Sequence, residues 1–165
     1  MLTSGLTALV ANLSDKPATY AALLAQIEAV TDGEPDLIAN LANITALVRE
    51  AMPLASWVGF YIMRDGELVL GPFQGKVACV RIALTRGVCG AAARDRTVQL
   101  VPDVDQFPGH IACDAGSRSE VVVPVMLHDR VVAVLDVDSY QLAAFDQQDA
   151  DGLTEVAQRC AGLAW

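Results

Sequence analysis

The chain has 165 residues, 53% of them hydrophobic and 19% charged, which is typical of one compact domain with its own core. Its formal net charge is -9, from 20 acidic and 11 basic residues, and this balance argues against nucleic acids and anionic membranes as partners. A small ligand or a protein partner, including a second copy in a homodimer, fits this composition better.

The cysteine content and the first residues bear on the cellular location. Four cysteines are too few for a fold built on disulfides, so we expect thiols in a reducing compartment. The first basic residue is Lys16, and residues 1–14 lack the charged start and cleavage pattern of an export signal. The sequence therefore predicts a cytoplasmic protein.

Two amphipathic helices are predicted over about residues 17–52. Ser14 and Asp15 are capping residues, Pro17 suits a first helical turn, and apolar residues then recur at helical spacing up to Val30. Asp32-Gly33 interrupts the pattern, and the second helix must end before Pro53.

A β-hairpin follows, because Trp57–Met63 is aromatic and β-branched, Arg64-Asp65-Gly66 is a turn, and Leu68–Leu70 resumes the apolar pattern. Alternation separates the first strand into two faces, one with Val58, Phe60 and Ile62 and the other with Trp57, Gly59 and Tyr61. Gly59 leaves a gap in the second face, which is either the floor of a pocket or an accident of packing.

Residues 77–84 are predicted to be extended, and a short helix is predicted from Gly87. Cys89 then lies near a helix N-terminus, where the backbone dipole and free N–H groups favour a thiolate. On physical grounds alone Cys89 is a candidate reactive thiol.

The long loop that follows the predicted strand 98–101 contains another thiol. Pro108 and Gly109 form a rigid turn that presents Cys113, and a loop of this length is usually functional. A single cysteine is often only a buried apolar residue. Because Cys79, Cys89 and Cys113 all lie in glycine-rich segments, we instead expect thiol chemistry where these loops meet.

Two further strands, 120–127 and 131–139, are joined by a turn around His128-Asp129-Arg130. A three-residue turn places Glu120 opposite Asp138, with Asp136 on the same face, whereas a two-residue turn would shift this register. Three carboxylates on an apolar sheet are expected to line a cavity for a cationic or proton-sharing group, unless they lie at a solvated sheet end.

A C-terminal helix capped by Asp146 is predicted over about residues 146–165, with Cys160 on its buried stripe. The sheet and its loops then occupy about residues 56–139. We expect a single domain over 1–165 of α+β class, with a central antiparallel sheet of about six strands flanked by helices.

Two other chemistries fit the residues less well. Cys79, Cys89, Cys113 and His110 have the composition of a zinc site but lack any Cys-x-x-Cys spacing, so no metal is expected. A cysteine hydrolase needs a base, for which only His110 and His128 are present. A redox cycle in which one thiolate attacks and a second forms a disulfide accounts for more of the cysteines.

Several segments together resemble the free methionine-(R)-sulfoxide reductases, a GAF-domain family, over nearly the whole chain after about residue 16. The segments are Ile38-Ala39-Asn40, Trp57-Val58-Gly59-Phe60-Tyr61, Gly71-Pro72-Phe73-Gln74-Gly75, Gly87-Val88-Cys89-Gly90, Phe107-Pro108-Gly109-His110-Ile111-Ala112-Cys113-Asp114 and Ser119-Glu120. Asp105 is a departure, since a histidine is expected there. The resemblance implies a GAF-like fold with a ligand pocket closed by loops.

The resemblance also implies roles for particular residues. It assigns Cys113 as the attacking thiol and Cys79 as its main resolving partner, with Cys89 a further redox partner; the order of Cys79 and Cys89 stays open. It places five residues around the substrate: Trp57, Tyr61, Glu120, Asp136 and Asp138. Glu120, or an aspartate partner, is also a candidate for the acid that protonates the sulfoxide oxygen.

The function implied is reduction of free methionine-(R)-sulfoxide to methionine, an oxidative stress repair reaction. It proceeds through a sulfenic acid and an intramolecular disulfide that thioredoxin reduces, without a metal or organic cofactor. The alternative is a non-catalytic small-molecule or redox-sensing GAF module, because fold alone does not decide function.

Overall fold

The computed structural model describes residues 15–165, which form an antiparallel six-stranded sheet with helices on both faces. The strand order is β3-β2-β1-β6-β5-β4. The strands are β1 (Trp57–Arg64), β2 (Glu67–Gln74), β3 (Arg81–Ala83), β4 (Gln99–Val101), β5 (Ser119–Leu127) and β6 (Arg130–Ser139). The helices are α1 (Lys16–Thr31), α2 (Leu37–Ala51), α3 (Gly87–Asp95) and α4 (Gln147–Ala161). The predicted α+β class and sheet are confirmed.

The three long helices begin at aspartate caps. The side chain of Asp15 accepts a hydrogen bond from the Ala18 N–H, and Asp36 does the same for α2. Asp146 and Asp149 form a reciprocal capping box at the start of α4. Residues 1–14 lie outside the described residues. The predictions that Ser14 is a cap and that this stretch lacks an export signal therefore concern residues that the structure does not describe.

One face of the sheet carries the larger apolar core. Helices α1, α2 and α4 cover it, and Val58, Phe60 and Ile62 of β1 point into it as the alternation predicts. Cys160 is fully buried in this core, also as predicted.

The opposite face is covered by the short helix α3 and by loops. Trp57 and Tyr61 of β1 lie in this second core together with Cys89 of α3. Loops cover this face less completely than the long helices cover the other one, and a cavity lies there.

The β5–β6 hairpin reaches the predicted register by a different route. Leu127 is opposite Arg130, so the turn has two residues rather than the three expected. Val132 is an extra residue on β6 where the register shifts between Val125 and Met126, and this bulge restores the pairing of Glu120 with Asp138. The predicted turn length is therefore wrong, whereas the predicted pairing is correct.

Two further expectations need correction. Only Arg81–Ala83 of the predicted extended segment 77–84 is a strand. The gap at Gly59 is not an open pocket floor, because a Cβ there would collide with the indole of Trp57 and with Phe73. Gly59 allows these two rings to lie against the strand backbone.

Among residues 15–165, no helix has the length and apolarity needed to span a bilayer.

Helix α4 packs closely against α1 at Gly152. A Cβ at this position would overlap the ring of Tyr20, and that ring is held in place because its hydroxyl donates a hydrogen bond to Asp149 Oδ1 at 3.0 Å. We expect Gly152→Ala to destabilise the protein by about 1–3 kcal/mol despite the better helix propensity of alanine. Urea unfolding followed by circular dichroism measures this change.

The matched control is Gly162→Ala just after α4, where the new Cβ makes only ordinary contact and φ is -80°. This variant should unfold at or slightly above the wild-type midpoint. Equal midpoints for Gly152→Ala and wild type would contradict the close packing.

Candidate active site

The cavity lies between the second face of the sheet, the start of α3 and two loops. We call residues 75–80 the Cys79 loop and residues 107–118 the Cys113 loop. The cavity has an empty volume of about 610 Å³ including its mouth. Seven residues singled out in the sequence line it: Trp57, Tyr61, Cys89, Cys113, Glu120, Asp136 and Asp138.

Three carboxylates lie together at the sheet side of the cavity. Glu120 of β5 is paired with Asp138 of β6, and Asp136 is two residues earlier on the same face of β6. Glu120 and Asp136 are each only 5% exposed. Glu120 and Asp136 are therefore buried in the cavity, and Asp138 is half-buried beside them, so the group is not a solvated sheet end.

Burial dominates the ionisation of this group. It raises the pKa of Glu120, and the neighbouring charges of Asp136 and Asp138 raise it further. Burial raises the pKa of Asp136 to about 6 and also raises the pKa of Asp138, against the hydrogen bond from Ser117. Asp136 Oδ1 has no hydrogen-bond partner among the described residues. The raised pKa values favour retention of a proton by the group, and Asp136 Oδ1 is a free acceptor for a donor in the cavity.

Cys89 lies in the first turn of α3, as predicted, but its environment does not favour a thiolate. The residue is 4% exposed, and its Sγ lies 4.0 Å from Glu120 Oε1. Burial raises the pKa of this thiol well above its usual value, and the charges of Asp136 and Glu120 raise it further. The predicted activation by the helix dipole is therefore wrong, because desolvation and adjacent carboxylates outweigh a partial charge.

The other two loop cysteines are joined to each other. Cys79 and Cys113 form a disulfide with their Cα atoms 5.4 Å apart, whereas Cys89 and Cys160 are free. The disulfide links the Cys79 loop to the Cys113 loop, and Cys113 lines the cavity. A buried thiol and a disulfide thus lie near the same carboxylate group.

The aromatic side chains of Trp57 and Tyr61, which line the cavity, also hold the Cys79 loop. The Trp57 ring stacks on Tyr61 and Phe73, with ring centroids 5.9 Å and 5.3 Å apart. The Trp57 Nε1–H donates to the Lys76 carbonyl at 3.0 Å, and the Tyr61 hydroxyl donates to the Cys79 carbonyl at 3.0 Å. Each ring therefore faces the cavity and holds the backbone of the loop that contains the disulfide-bonded Cys79.

Two polar groups of the Cys113 loop also lie at the cavity: Ser117, which had no predicted role, and His110, which was considered as a metal ligand or a base. The Ser117 hydroxyl donates to Asp138 Oδ1 at 2.8 Å, and His110 lines the cavity, where burial lowers its pKa. Ser117 lies three residues after Asp114, the last residue of the Cys113 motif, and only the folded loop shows which carboxylate its hydroxyl contacts.

The residues that could bind a metal differ from the four weighed in the sequence, which were Cys79, Cys89, Cys113 and His110. Cys79 and Cys113 are in a disulfide, so they offer no thiolate in this state. Ligand atoms of Cys89, Glu120 and Asp136 lie within 4.8 Å of one another. These are the same groups that line the cavity described above.

Comparison with known proteins agrees with this geometry. The sequence profile of the GAF domain family matches residues 28–162. The free methionine-R-sulfoxide reductase of Escherichia coli is 46% identical over 142 residues, covering 86% of this chain and 86% of that protein.

Solved structures give the same result. The free methionine-R-sulfoxide reductase of Neisseria meningitidis in complex with its substrate has a TM-score of 0.86 at 49% identity, covering 90% of this chain and 89% of that one. A structure from Burkholderia vietnamiensis described as a putative GAF sensor protein has a TM-score of 0.88 at 50% identity, covering 92% of this chain and 97% of that one. The chain therefore belongs to the GAF domain family, in the branch that includes the free methionine-R-sulfoxide reductases.

Proposed function

We propose that this chain reduces free methionine-(R)-sulfoxide to methionine, with Cys113 as the attacking thiol. The observation that carries the proposal is the position of Cys113: its side chain lines a cavity of aromatic and acidic residues and is joined to a second loop cysteine. The relatives named as reductases of this substrate support the same assignment.

The cavity has groups that complement a free amino acid. Its ammonium group would be held by Asp136 and Asp138, where the free Oδ1 of Asp136 accepts one N–H, and Glu120 beside them would face the sulfoxide oxygen. The lining includes no lysine or arginine among the described residues, so an ammonium supplies the missing positive charge. Trp57 and Tyr61 provide an apolar wall for the methyl-sulfinyl end.

The reaction requires the Cys79–Cys113 disulfide to be reduced first. The Cys113 thiolate then attacks the sulfoxide sulfur, and the sulfoxide oxygen is protonated and transferred to Cys113. The substrate sulfur gains two electrons and leaves as methionine, while the Cys113 sulfur loses two electrons and becomes a sulfenic acid.

Glu120 is our candidate for the proton donor in this step. It is buried, lies beside Asp136 and Asp138, and its raised pKa favours the protonated form. A neutral carboxylic acid in an apolar site can donate a hydrogen bond to the sulfoxide oxygen and then transfer the proton.

Cys79 is our candidate for the resolving thiol. It attacks the Cys113 sulfenic acid, so that a disulfide forms and one water molecule leaves. Cys89 stays a further redox partner in the proposal, although its thiol is buried and has a raised pKa. Thioredoxin is the proposed reductant of the disulfide, and the cytoplasm, where such reductants are present, is the proposed location.

The reaction itself is tested by mixing the fully reduced protein with free methionine-(R)-sulfoxide and no other reductant. We expect one methionine released per chain and two thiols lost, with mass spectrometry identifying the Cys79–Cys113 linkage. Absence of methionine release would contradict the proposal and favour a sensor that binds the ligand without chemistry.

The cysteine roles predict different results for single substitutions. Cys113→Ser should release no methionine, because the attacking sulfur is absent. Cys79→Ser should release about one methionine per chain in the first turnover and then stop with thioredoxin, because no disulfide with residue 79 forms. The measurements are methionine by chromatography and the Cys113 sulfenic acid by a carbon-nucleophile trap.

Cys160→Ala is the control, because Cys160 lies in the larger apolar core, on the face of the sheet opposite the cavity. It should turn over at the wild-type rate. Normal steady-state turnover by Cys79→Ser would assign the resolving role to Cys89. Adding Cys89→Ser to that variant should then abolish turnover.

The acid role of Glu120 predicts a change in rate with little change in binding. Glu120→Gln keeps a hydrogen-bonding side chain of the same size but has no acidic proton, so kcat should fall about 100-fold with KM nearly unchanged. The protonated form of Glu120 is the active one, and the pKa of this group is raised. Wild-type kcat should therefore fall as the pH rises through the pKa of Glu120, because the proton is then lost. This alkaline decrease should be absent from the residual activity of the variant.

Glu155→Gln makes the same chemical change at an exposed position on α4 and should leave kcat unaltered. If Glu120→Gln retained near-normal kcat, the proton would have to come from another group, and Asp136 or Asp138 would be tested in the same way.

A further inference from the structure

Two exposed side chains and the half-buried Asp114, which also lines the cavity, form a noncovalent connection beside the disulfide. Lys76 belongs to the Cys79 loop, Asp114 follows Cys113 directly, and Tyr140 comes immediately after the end of β6. We call Lys76, Asp114 and Tyr140 the loop latch. It connects the same two loops that the disulfide connects.

The contacts of the loop latch converge on one carboxylate. The Tyr140 hydroxyl donates to Asp114 Oδ2 at 2.7 Å, and Lys76 Nζ lies 4.0 Å from the same oxygen. Lys76 Nζ is also 5.2 Å from the centroid of the Tyr140 ring, in range of a cation–π contact. The Gly116 N–H donates to Asp114 Oδ1 at 3.0 Å, so Asp114 is oriented from both sides.

Each loop is also tied separately to the body of the protein. The Cys79 loop is held to β1 through its Lys76 and Cys79 carbonyls. The Cys113 loop is held at Gly109, whose carbonyl accepts from the Gly87 N–H at 3.0 Å, and at Ser117. These anchors fix each loop to its own neighbours, whereas the disulfide and the loop latch join one loop to the other.

The loop latch joins the two loops without using the disulfide. The proposed reaction breaks the Cys79–Cys113 bond in every cycle, and Cys79 must then return to Cys113. None of the latch contacts uses a cysteine atom, so they can remain formed in the dithiol state. A contact that keeps two thiols close raises their effective concentration and favours the disulfide over the dithiol.

We propose that Tyr140 and Lys76 are positioning residues that hold Cys79 close to Cys113 through Asp114 while the disulfide is open. Tyr140 is 44% exposed and does not line the cavity, so it acts through Asp114 rather than on the substrate. The effect on the dithiol–disulfide equilibrium is independent of the proposed function. The effect on turnover rests on that function.

The equilibrium test uses glutathione and needs no substrate. Oxidised glutathione takes two electrons from the Cys79 and Cys113 thiols, so that one protein disulfide and two reduced glutathione molecules form, and the two protons pass to glutathione sulfur. Thiol alkylation followed by mass spectrometry gives the fraction of Cys79–Cys113 disulfide at each glutathione ratio.

Tyr140→Phe keeps the ring beside Lys76 and Gly116 but removes the hydroxyl that binds Asp114. We expect the equilibrium to shift about three- to tenfold toward the dithiol, the range for a partly exposed hydrogen bond to a charged group. Lys76→Met removes the charge and keeps a long apolar side chain, and it should shift the equilibrium in the same direction by about two- to threefold.

Leu142→Ala is the control variant, because Leu142 is 50% exposed on the same segment and takes no part in the loop latch. Its equilibrium should match that of the wild type. A wild-type equilibrium in both Tyr140→Phe and Lys76→Met would overturn the proposal.

A single-turnover experiment separates positioning from a general structural effect. In reduced Tyr140→Phe, methionine release should keep its wild-type rate, whereas condensation of the Cys113 sulfenic acid with the Cys79 thiol, which releases water, should be about three- to tenfold slower. Equal slowing of both steps would overturn the positioning role. If the wild type released no methionine, the proposed function would fail, and the glutathione equilibrium would still test the loop latch.

Discussion

The cavity is organised by the burial of Glu120, Asp136 and Asp138 beside one another. Removing three carboxylates from water is unfavourable unless they share protons or bind a cation, and no lysine or arginine is among the described residues of the lining. The raised pKa values favour protonated carboxyls and the Ser117 hydroxyl binds Asp138, whereas the Asp136 Oδ1 atom is left without a partner. The same arrangement complements a ligand that carries an ammonium group and needs a proton at its other end.

The sheet supplies the rigidity that this arrangement requires. Glu120 and Asp138 are cross-strand partners on β5 and β6, and the long helices α1, α2 and α4 pack the opposite face. Side chains on adjacent paired strands are fixed by the ladder of backbone hydrogen bonds, so the carboxylates cannot move apart to reduce their repulsion. The proximity of these carboxylates is therefore a consequence of the sheet register.

The thiols lie instead on loops, where they can change partners. Cys79 and Cys113 are linked to each other and join the two loops, while Cys89 is held on α3 next to the carboxylates. The Trp57 and Tyr61 side chains join these two parts of the site, because each ring lines the cavity and each polar atom binds the Cys79 loop. A rigid acidic surface beneath thiols on tethered loops suits a reaction in which one sulfur must meet first a substrate and then a second sulfur.

The sequence by itself determined the elements that depend on neighbouring residues: the aspartate-capped helices, the two faces of β1 and the turn that presents Cys113. It also predicted that Glu120 and Asp138 are paired, although the bulge at Val132 was needed to correct for a shorter turn. Only the tertiary structure decided the ionisation of Cys89, because its pKa depends on carboxylates more than 30 residues away in sequence. It likewise decided which cysteines are joined and which side chains connect their loops, since these contacts arise only when distant segments pack together.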